Sequence, residues 1–318
     1  MSESDNKFLE LAAPGVRSLH PYLPGKPVEA LERELGISNA LKLASNENPF
    51  GPSPLALAAA QSVLPEIARY PEGSGHQLAA RLAALHGIAP ECITLGNGSN
   101  DVLDLVARVF LTPDHEAVFS QHAFAVYPIV VQAVGARARV AQAGPGYSHD
   151  LEAMREQVTA DARVVFVANP NNPTGGWLAA AALEAFITDL PAYVMVVVDE
   201  AYFEYVVEED YPDTTQWLAR FPNLIVTRTF SKAYGLAGLR VGYAVSHPDV
   251  AGLLNRVRQP FNVNLVAQAA ALAALDDRAH ISMSVERNRE GMGQLLAGFA
   301  DLGLEWIASV GNFVAVDA

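Results

Sequence analysis

The hydrophobic positions of this chain follow two rhythms. Short runs rich in β-branched and apolar residues recur, in "EAVFS", "RARVA", "RVVFVAN", "YVMVVVDE" and "NLIVTRTFS". They predict strands buried on both faces. Between them lie stretches with apolar residues at helical spacing, near 124–134, 150–158 and 179–189. "GHQLAARLAALHG" also has the helical period, and "CITLGNGSNDVLDLVARVFL" reads as a short strand, a turn and a helix. Strands alternating with helices predict an α/β fold, with a mostly parallel central sheet and helices on both faces. After residue 246 the pattern becomes mainly helical, in "PDVAGLLNRVRQ", in "NLVAQAAALAAL" and across 277–300, and "LEWIASVGNFVAVDA" closes with two short strands. The Pro-rich beginning, through "LKLASNENPFGPSPLALAAAQ", reads as an irregular arm with one short helix near 28–35. Three parts are expected. Residues 1–49 form an arm and part of a small domain, 50–250 a large α/β domain, and 251–318 a linking helix and the rest of a small α+β domain.

Composition narrows the partners. The 318 residues are 51% hydrophobic and carry a net charge of −14, which argues against nucleic acid and anionic membrane surfaces. A single cysteine, Cys92, excludes an internal disulfide and a cysteine-based zinc site, and reads as a small buried hydrophobe. No metal ligand set is expected. No signal peptide is evident, and no apolar run approaches the ~20 residues of a membrane span. These features predict a cytoplasmic protein.

Polar residues gather where the predicted strands end, which is where open α/β sheets bind ligands. "ITL" runs into Gly96-Asn97-Gly98-Ser99-Asn100, "VVFVA" into "NPNNPTGG", "VMVVV" into Asp199-Glu200-Ala201-Tyr202, and "LIVTRTF" into Ser231-Lys232. Each has an ordinary reading. "GNGSN" could be a tight turn with a helix cap, "NPNNPTG" a Pro-rich loop, and Asp199 a helix N-cap. Together they suggest more. A carboxylate after five apolar residues needs a cation or hydrogen-bond partners. A lysine at the mouth of an apolar strand is partly desolvated, so its amine is easily deprotonated and nucleophilic. A glycine turn opening a helix, with Arg240 nearby, suits a phosphate. Pyridoxal 5'-phosphate, with an aldehyde, a pyridinium nitrogen and a phosphate, would use all three.

The motif "SKAYGLAGLR" around Lys232 resembles the cofactor-attachment motif of class II pyridoxal-phosphate aminotransferases, which have the aspartate aminotransferase-like type I fold. "NPNNPTG", "VVVDEAYFEY" and "LASNENPFGPSP" make the chain similar to histidinol-phosphate aminotransferases in particular. The resemblance implies roles. Lys232, Asp199 and Tyr202 are its catalytic candidates. Lys232 would carry the cofactor as a Schiff base and serve as general base, and Asp199 would keep the pyridine nitrogen protonated. Asn172 and Tyr202 would bond the ring's phenolic oxygen, and Phe124 would stack on the ring, although it also reads as ordinary core. Gly98, Ser99, Asn100, Ser231 and Arg240 would cradle the phosphate, with Thr229 as a weaker candidate. Tyr70 would reach the phosphate of a neighbouring subunit, implying a homodimer with shared sites. Tyr22 and Asn46 would touch substrate.

The implied reaction is transamination of L-histidinol phosphate with 2-oxoglutarate, in histidine biosynthesis. Transamination of aromatic amino acids, decarboxylation of a phosphorylated amino acid, and a cofactor-binding relative without turnover remain open. A regulator built on this fold is disfavoured, because the chain shows no added DNA-binding helix pair and its net charge is acidic. Relatives continue for about one more strand and helix, carrying an arginine that grips substrate. No equivalent follows Arg289, so the expectation is a complete cofactor site with an incomplete substrate clamp.

Overall fold

A computed structural model describes residues 7–22 and 25–317. Nine strands are present among them: β1 Ile93–Gly96, β2 Glu116–Ser120, β3 Arg137–Ala141, β4 Ala162–Ala168, β5 Met195–Asp199, β6 Leu224–Thr229, β7 Gly242–Ser246, β8 Glu305–Trp306 and β9 Val316–Asp317. The helices are α1 Pro14–Arg17, α2 Val28–Leu35, α3 Pro54–Val63, α4 His76–His86, α5 Ser99–Phe110, α6 Val126–Ala133, α7 Leu151–Glu156, α8 Ala180–Asp189, α9 Pro248–Val257, α10 Leu265–Ala274 and α11 Arg278–Leu302.

Seven strands form one sheet in the order β1-β7-β6-β5-β4-β2-β3. Strand β7 runs antiparallel to both neighbours, and the β3-β2-β4-β5-β6 pairings are parallel. The central strands read as continuous apolar runs because both faces are covered. Val196, Val198 and Val226 pack with Leu82, Leu183 and Ala271, from α4, α8 and α10. Val197 and Ile225, pointing the other way, pack with Val106, Val131 and Leu254, from α5, α6 and α9. The expected sheet with helices on both faces is therefore present. At the edge, β3 exposes Arg137 and half-exposes Arg139, charges that blunt further strand pairing. Strands β8 and β9 make a separate antiparallel pair of two residues each.

The Pro-rich stretch that runs on past the arm departs from its reading as irregular chain. Residues 54–63 form α3, which packs against α10. Ser53 caps this helix by accepting a hydrogen bond from the Ala56 N–H at 3.0 Å, and Pro54 occupies the first turn, where no N–H is needed. The prolines that suggested a loop mark a helix start.

Candidate active site

The carboxyl ends of β4, β5 and β6, with the start of α5, surround a cavity of about 640 Å³. That volume suits a small molecule. Its wall contains nearly every residue singled out in the sequence, and these fall into three groups.

Asp199 ends β5 and is 4% exposed. Its Oδ1 accepts a hydrogen bond from Thr227 Oγ1 at 2.9 Å, and its Oδ2 accepts one from Tyr127 Oη at 3.0 Å. Thr227 stands directly opposite Asp199 in the β5–β6 register, so the strand pairing itself delivers this donor. Burial pushes the carboxyl pKa above its ordinary value, while the Thr227 and Tyr127 hydrogen bonds and the Ala201 N–H oppose the rise.

Lys232 follows β6 and turns its amine into the cavity, donating to the Ser45 carbonyl oxygen at 2.8 Å. Burial lowers its pKa to about 8, helped by the Arg240 charge and resisted by Glu47 and Asp199. The Tyr202 ring lies 5.5 Å from this amine. The Tyr202 phenol oxygen accepts from Asn46 Nδ2 and from Asn172 Nδ2, each at 3.0 Å. Burial pushes the phenol pKa up to about 12 against those two bonds.

The third group is an anion cradle. Arg240 Nη1 donates to Ser231 Oγ at 3.4 Å, and Thr229 Oγ1 donates to the same oxygen at 3.0 Å. Gly98 has φ 83°, and a Cβ built there would lie 2.4 Å from Arg240 Nη2. A Cβ on Gly242 would lie 2.4 Å from the Ser99 nitrogen, so β7 can approach the turn only without a side chain. Ser99 and Asn100 line the cavity at the first turn of the twelve-residue helix α5, whose free N–H groups and dipole favour an anion.

Phe124, Tyr22 and Asn46 also line the cavity. Tyr70 does not. It is 81% exposed and stacks on Phe261, with ring centroids 4.6 Å apart. Sequence reasoning missed Tyr127, Thr227 and the Ser45 carbonyl. Only Thr227 left a trace, as the residue two before Thr229 on the same strand face. A desolvated amine, a buried carboxylate held by neutral donors and a glycine–arginine cradle together fit an aldehyde-bearing, phosphorylated pyridine.

A family model described as aminotransferase class I and II matches residues 38–318. Histidinol-phosphate aminotransferase 2 of Pseudomonas fluorescens is 60% identical, over 98% of this chain and 84% of that protein. Among solved structures, histidinol-phosphate aminotransferase from Sinorhizobium meliloti, in complex with pyridoxal-5'-phosphate, superposes with a TM-score of 0.88 at 33% identity, covering 96% of this chain and 82% of that one. A single mutant of Thermus thermophilus aspartate aminotransferase matches in fold, with a TM-score of 0.85 at 24% identity over 96% of this chain and 84% of its own. The central sheet is thus that of the aspartate aminotransferase-like fold, and the chain belongs to the class I and II aminotransferase family, among its histidinol-phosphate aminotransferases.

Proposed function

We propose that this protein is a pyridoxal-phosphate-dependent aminotransferase that moves the amino group of L-histidinol phosphate to 2-oxoglutarate, a step of histidine biosynthesis. The observation that carries the reading is one cavity holding the Lys232 amine, the Asp199 carboxylate and the Gly98–Arg240 cradle. The 60% identity to a histidinol-phosphate aminotransferase supports the choice of substrate.

When bound, pyridoxal phosphate supplies an aldehyde that joins amino groups and a protonated ring that delocalises the charge left at a substrate Cα. The residues do the rest. Lys232 Nζ, with its pKa lowered to about 8, is a base poised near neutral pH, placed to take the Cα proton and return it. Asp199 holds the proton on the ring nitrogen. Asn172 and Tyr202 would hold the ring through its phenolic oxygen, and Phe124 would pack beside it. Gly98, Ser99, Asn100, Ser231 and Arg240 hold the phosphate. Tyr22 and Asn46 face the substrate. Tyr70, on the outer surface, reaches the cavity of a second copy in a homodimer. Among the described residues no helix is long and apolar enough to cross a membrane, and we place the enzyme in the cytoplasm.

The test is a spectrophotometric titration of the cofactor-loaded protein. Histidinol phosphate is expected to convert the cofactor to its amine form, and 2-oxoglutarate to restore the aldehyde form. Conversion by phenylalanine alone, or release of carbon dioxide, would assign a different reaction. Lys232→Ala is expected to fold and to lack the absorption band of the lysine-linked cofactor.

A further inference from the structure

We propose that Tyr127 is a positioning residue that keeps Asp199 ionised and aimed at the cofactor's ring nitrogen, so that it governs how tightly a nitrogen-bearing ring is held. The inference rests on the pyridoxal-phosphate reading above. Tyr127 belongs to α6, is fully buried, and donates its phenol hydrogen to Asp199 Oδ2 at 3.0 Å. Thr227 holds the other oxygen, and the Ala201 N–H adds a third hydrogen bond. With each oxygen claimed by a separate donor, the carboxylate cannot rotate about its Cβ–Cγ bond without breaking a bond on both sides.

The chemistry of these donors matters as much as their number. All three are neutral. Among the described residues no lysine or arginine forms a salt bridge with Asp199, unlike the neighbouring Glu200, which pairs with Arg228 at 2.7 Å. Neutral donors stabilise a negative charge without cancelling it. A cationic ring nitrogen arriving from the cavity therefore meets a carboxylate that no salt bridge has neutralised, with only the more distant Lys232 amine acting on its charge. Burial raises the phenol pKa of Tyr127 far above 10, so it remains a donor at any working pH.

The Tyr127 ring is also fixed by its neighbours. It stacks on Phe166, with centroids 4.8 Å apart and planes at 12°. It meets Phe124 edge-on, at 5.8 Å and 87°. One side chain thus touches both the carboxylate for the ring nitrogen and the aromatic residue for the ring face. A tyrosine serving only to fill the core would need no particular acceptor, and its loss would affect every ligand equally.

That difference defines the experiment. Apoprotein binding is measured for pyridoxal phosphate and for its analogue with CH in place of the ring nitrogen, using wild type and Tyr127→Phe. Loss of a hydrogen bond to a charged group is expected to weaken pyridoxal phosphate by about 10–100-fold. The nitrogen-free analogue is expected to bind both proteins within about twofold. Thr227→Val, which strips the opposite oxygen, is expected to discriminate in the same direction, and it carries the test if Tyr127→Phe does not fold. Equal weakening of both ligands, or of neither, overturns the inference while leaving the proposed function standing. A wild-type protein that binds neither ligand overturns the proposed function, and the inference with it.

Discussion

The side-chain amide of Asn46 donates a hydrogen bond to the phenol oxygen of Tyr202 at 3.0 Å, across 156 residues of sequence. Asn172 donates to the same oxygen, so both acceptor positions of the phenol are taken and its own hydrogen remains for a ligand. The Asn46 carbonyl in turn accepts from Asn312 Nδ2 at 3.0 Å. A segment before the first strand and one after the last helix therefore meet at the site. Ser45 and Asn46 are both left-handed, with φ 74° and 52°, and this turn aims the Ser45 carbonyl at Lys232 and the Asn46 amide at Tyr202.

Asn46 thus has two separable duties, a backbone shape and a side-chain bond. Asparagine and glycine tolerate the left-handed region better than alanine does. Asn46→Gly removes only the hydrogen bond, whereas Asn46→Ala removes the bond and strains the turn. Asn46→Ala is expected to be the less stable of the two by about 0.5–1 kcal/mol in urea unfolding. Equal stabilities would show that the turn is not what the position requires.

The pH behaviour of Lys232 follows from its burial. Its pKa falls from the ordinary 10.5 to about 8, so between those values the folded protein binds fewer protons than the unfolded chain. The unfavourable contribution of the charged amine is complete below about pH 8 and is relieved as the pH rises toward 10.5. Only the neutral amine attacks an aldehyde. Capture of pyridoxal phosphate by the apoprotein, followed by stopped-flow absorbance, is expected to accelerate with a midpoint near pH 8. Glu47→Gln is expected to move that midpoint down, because the Glu47 charge raises it. A midpoint near 10 would mean the amine is solvated.

Much of this site was legible because its parts are local. Lys232 beside Ser231, Asp199 after an apolar strand and Gly98 before a helix are each signalled within a few residues. The strand ends line up because β1, β4, β5 and β6 run parallel, which the two-faced apolar runs predicted. Tyr127 was not legible, and Thr227 left only the trace of sharing a strand face with Thr229. Their importance comes from meeting Asp199 across 72 and 28 residues, and a tyrosine in an apolar helix or a threonine in a strand is ordinary on its own. The Ser45 carbonyl had no signal, since every residue carries one. Helix α3 was hidden because its proline is a start signal when a capping serine precedes it.

Gly98 offers a test of the cradle. A methyl group there would lie 2.4 Å from Arg240 Nη2 and 3.2 Å from Cζ, so the guanidinium must move. The obstructed group is the end of a flexible side chain, so Gly98→Ala is expected to fold, with about 1–3 kcal/mol of backbone strain because φ 83° and ψ 164° suit only glycine. Retention of pyridoxal phosphate should fall at least tenfold, while pyridoxal, which lacks the phosphate, should bind as before. Parallel losses for both ligands would place the phosphate elsewhere.

Arg228 lies between Thr227 and Thr229 on β6 but faces the other side of the sheet. Its Nε and Nη2 donate to Glu200 Oε2 at 2.9 and 2.7 Å, and Nη2 also reaches Asp213 Oδ1 at 2.6 Å. The guanidinium carbon sits 3.4 Å from the Phe203 ring centroid. The side chains of Arg228 and Glu200 are 5% and 0% exposed, so neither charge can turn to water if the other is removed. Arg228→Met is therefore expected to cost about 3–5 kcal/mol, most of it from the stranded Glu200 carboxylate. Adding Glu200→Gln neutralises that charge and keeps an acceptor for Thr214, which now donates to Glu200 Oε1 through both its N–H and its hydroxyl. The double variant should recover at least half of the loss in urea unfolding. If it is no more stable than Arg228→Met, the arginine acts through packing on Phe203 rather than through charge. Because Thr227 and Thr229 flank Arg228 and hold Asp199 and Ser231 on the opposite face, the single variant should also loosen pyridoxal phosphate, and the double variant should restore part of that affinity.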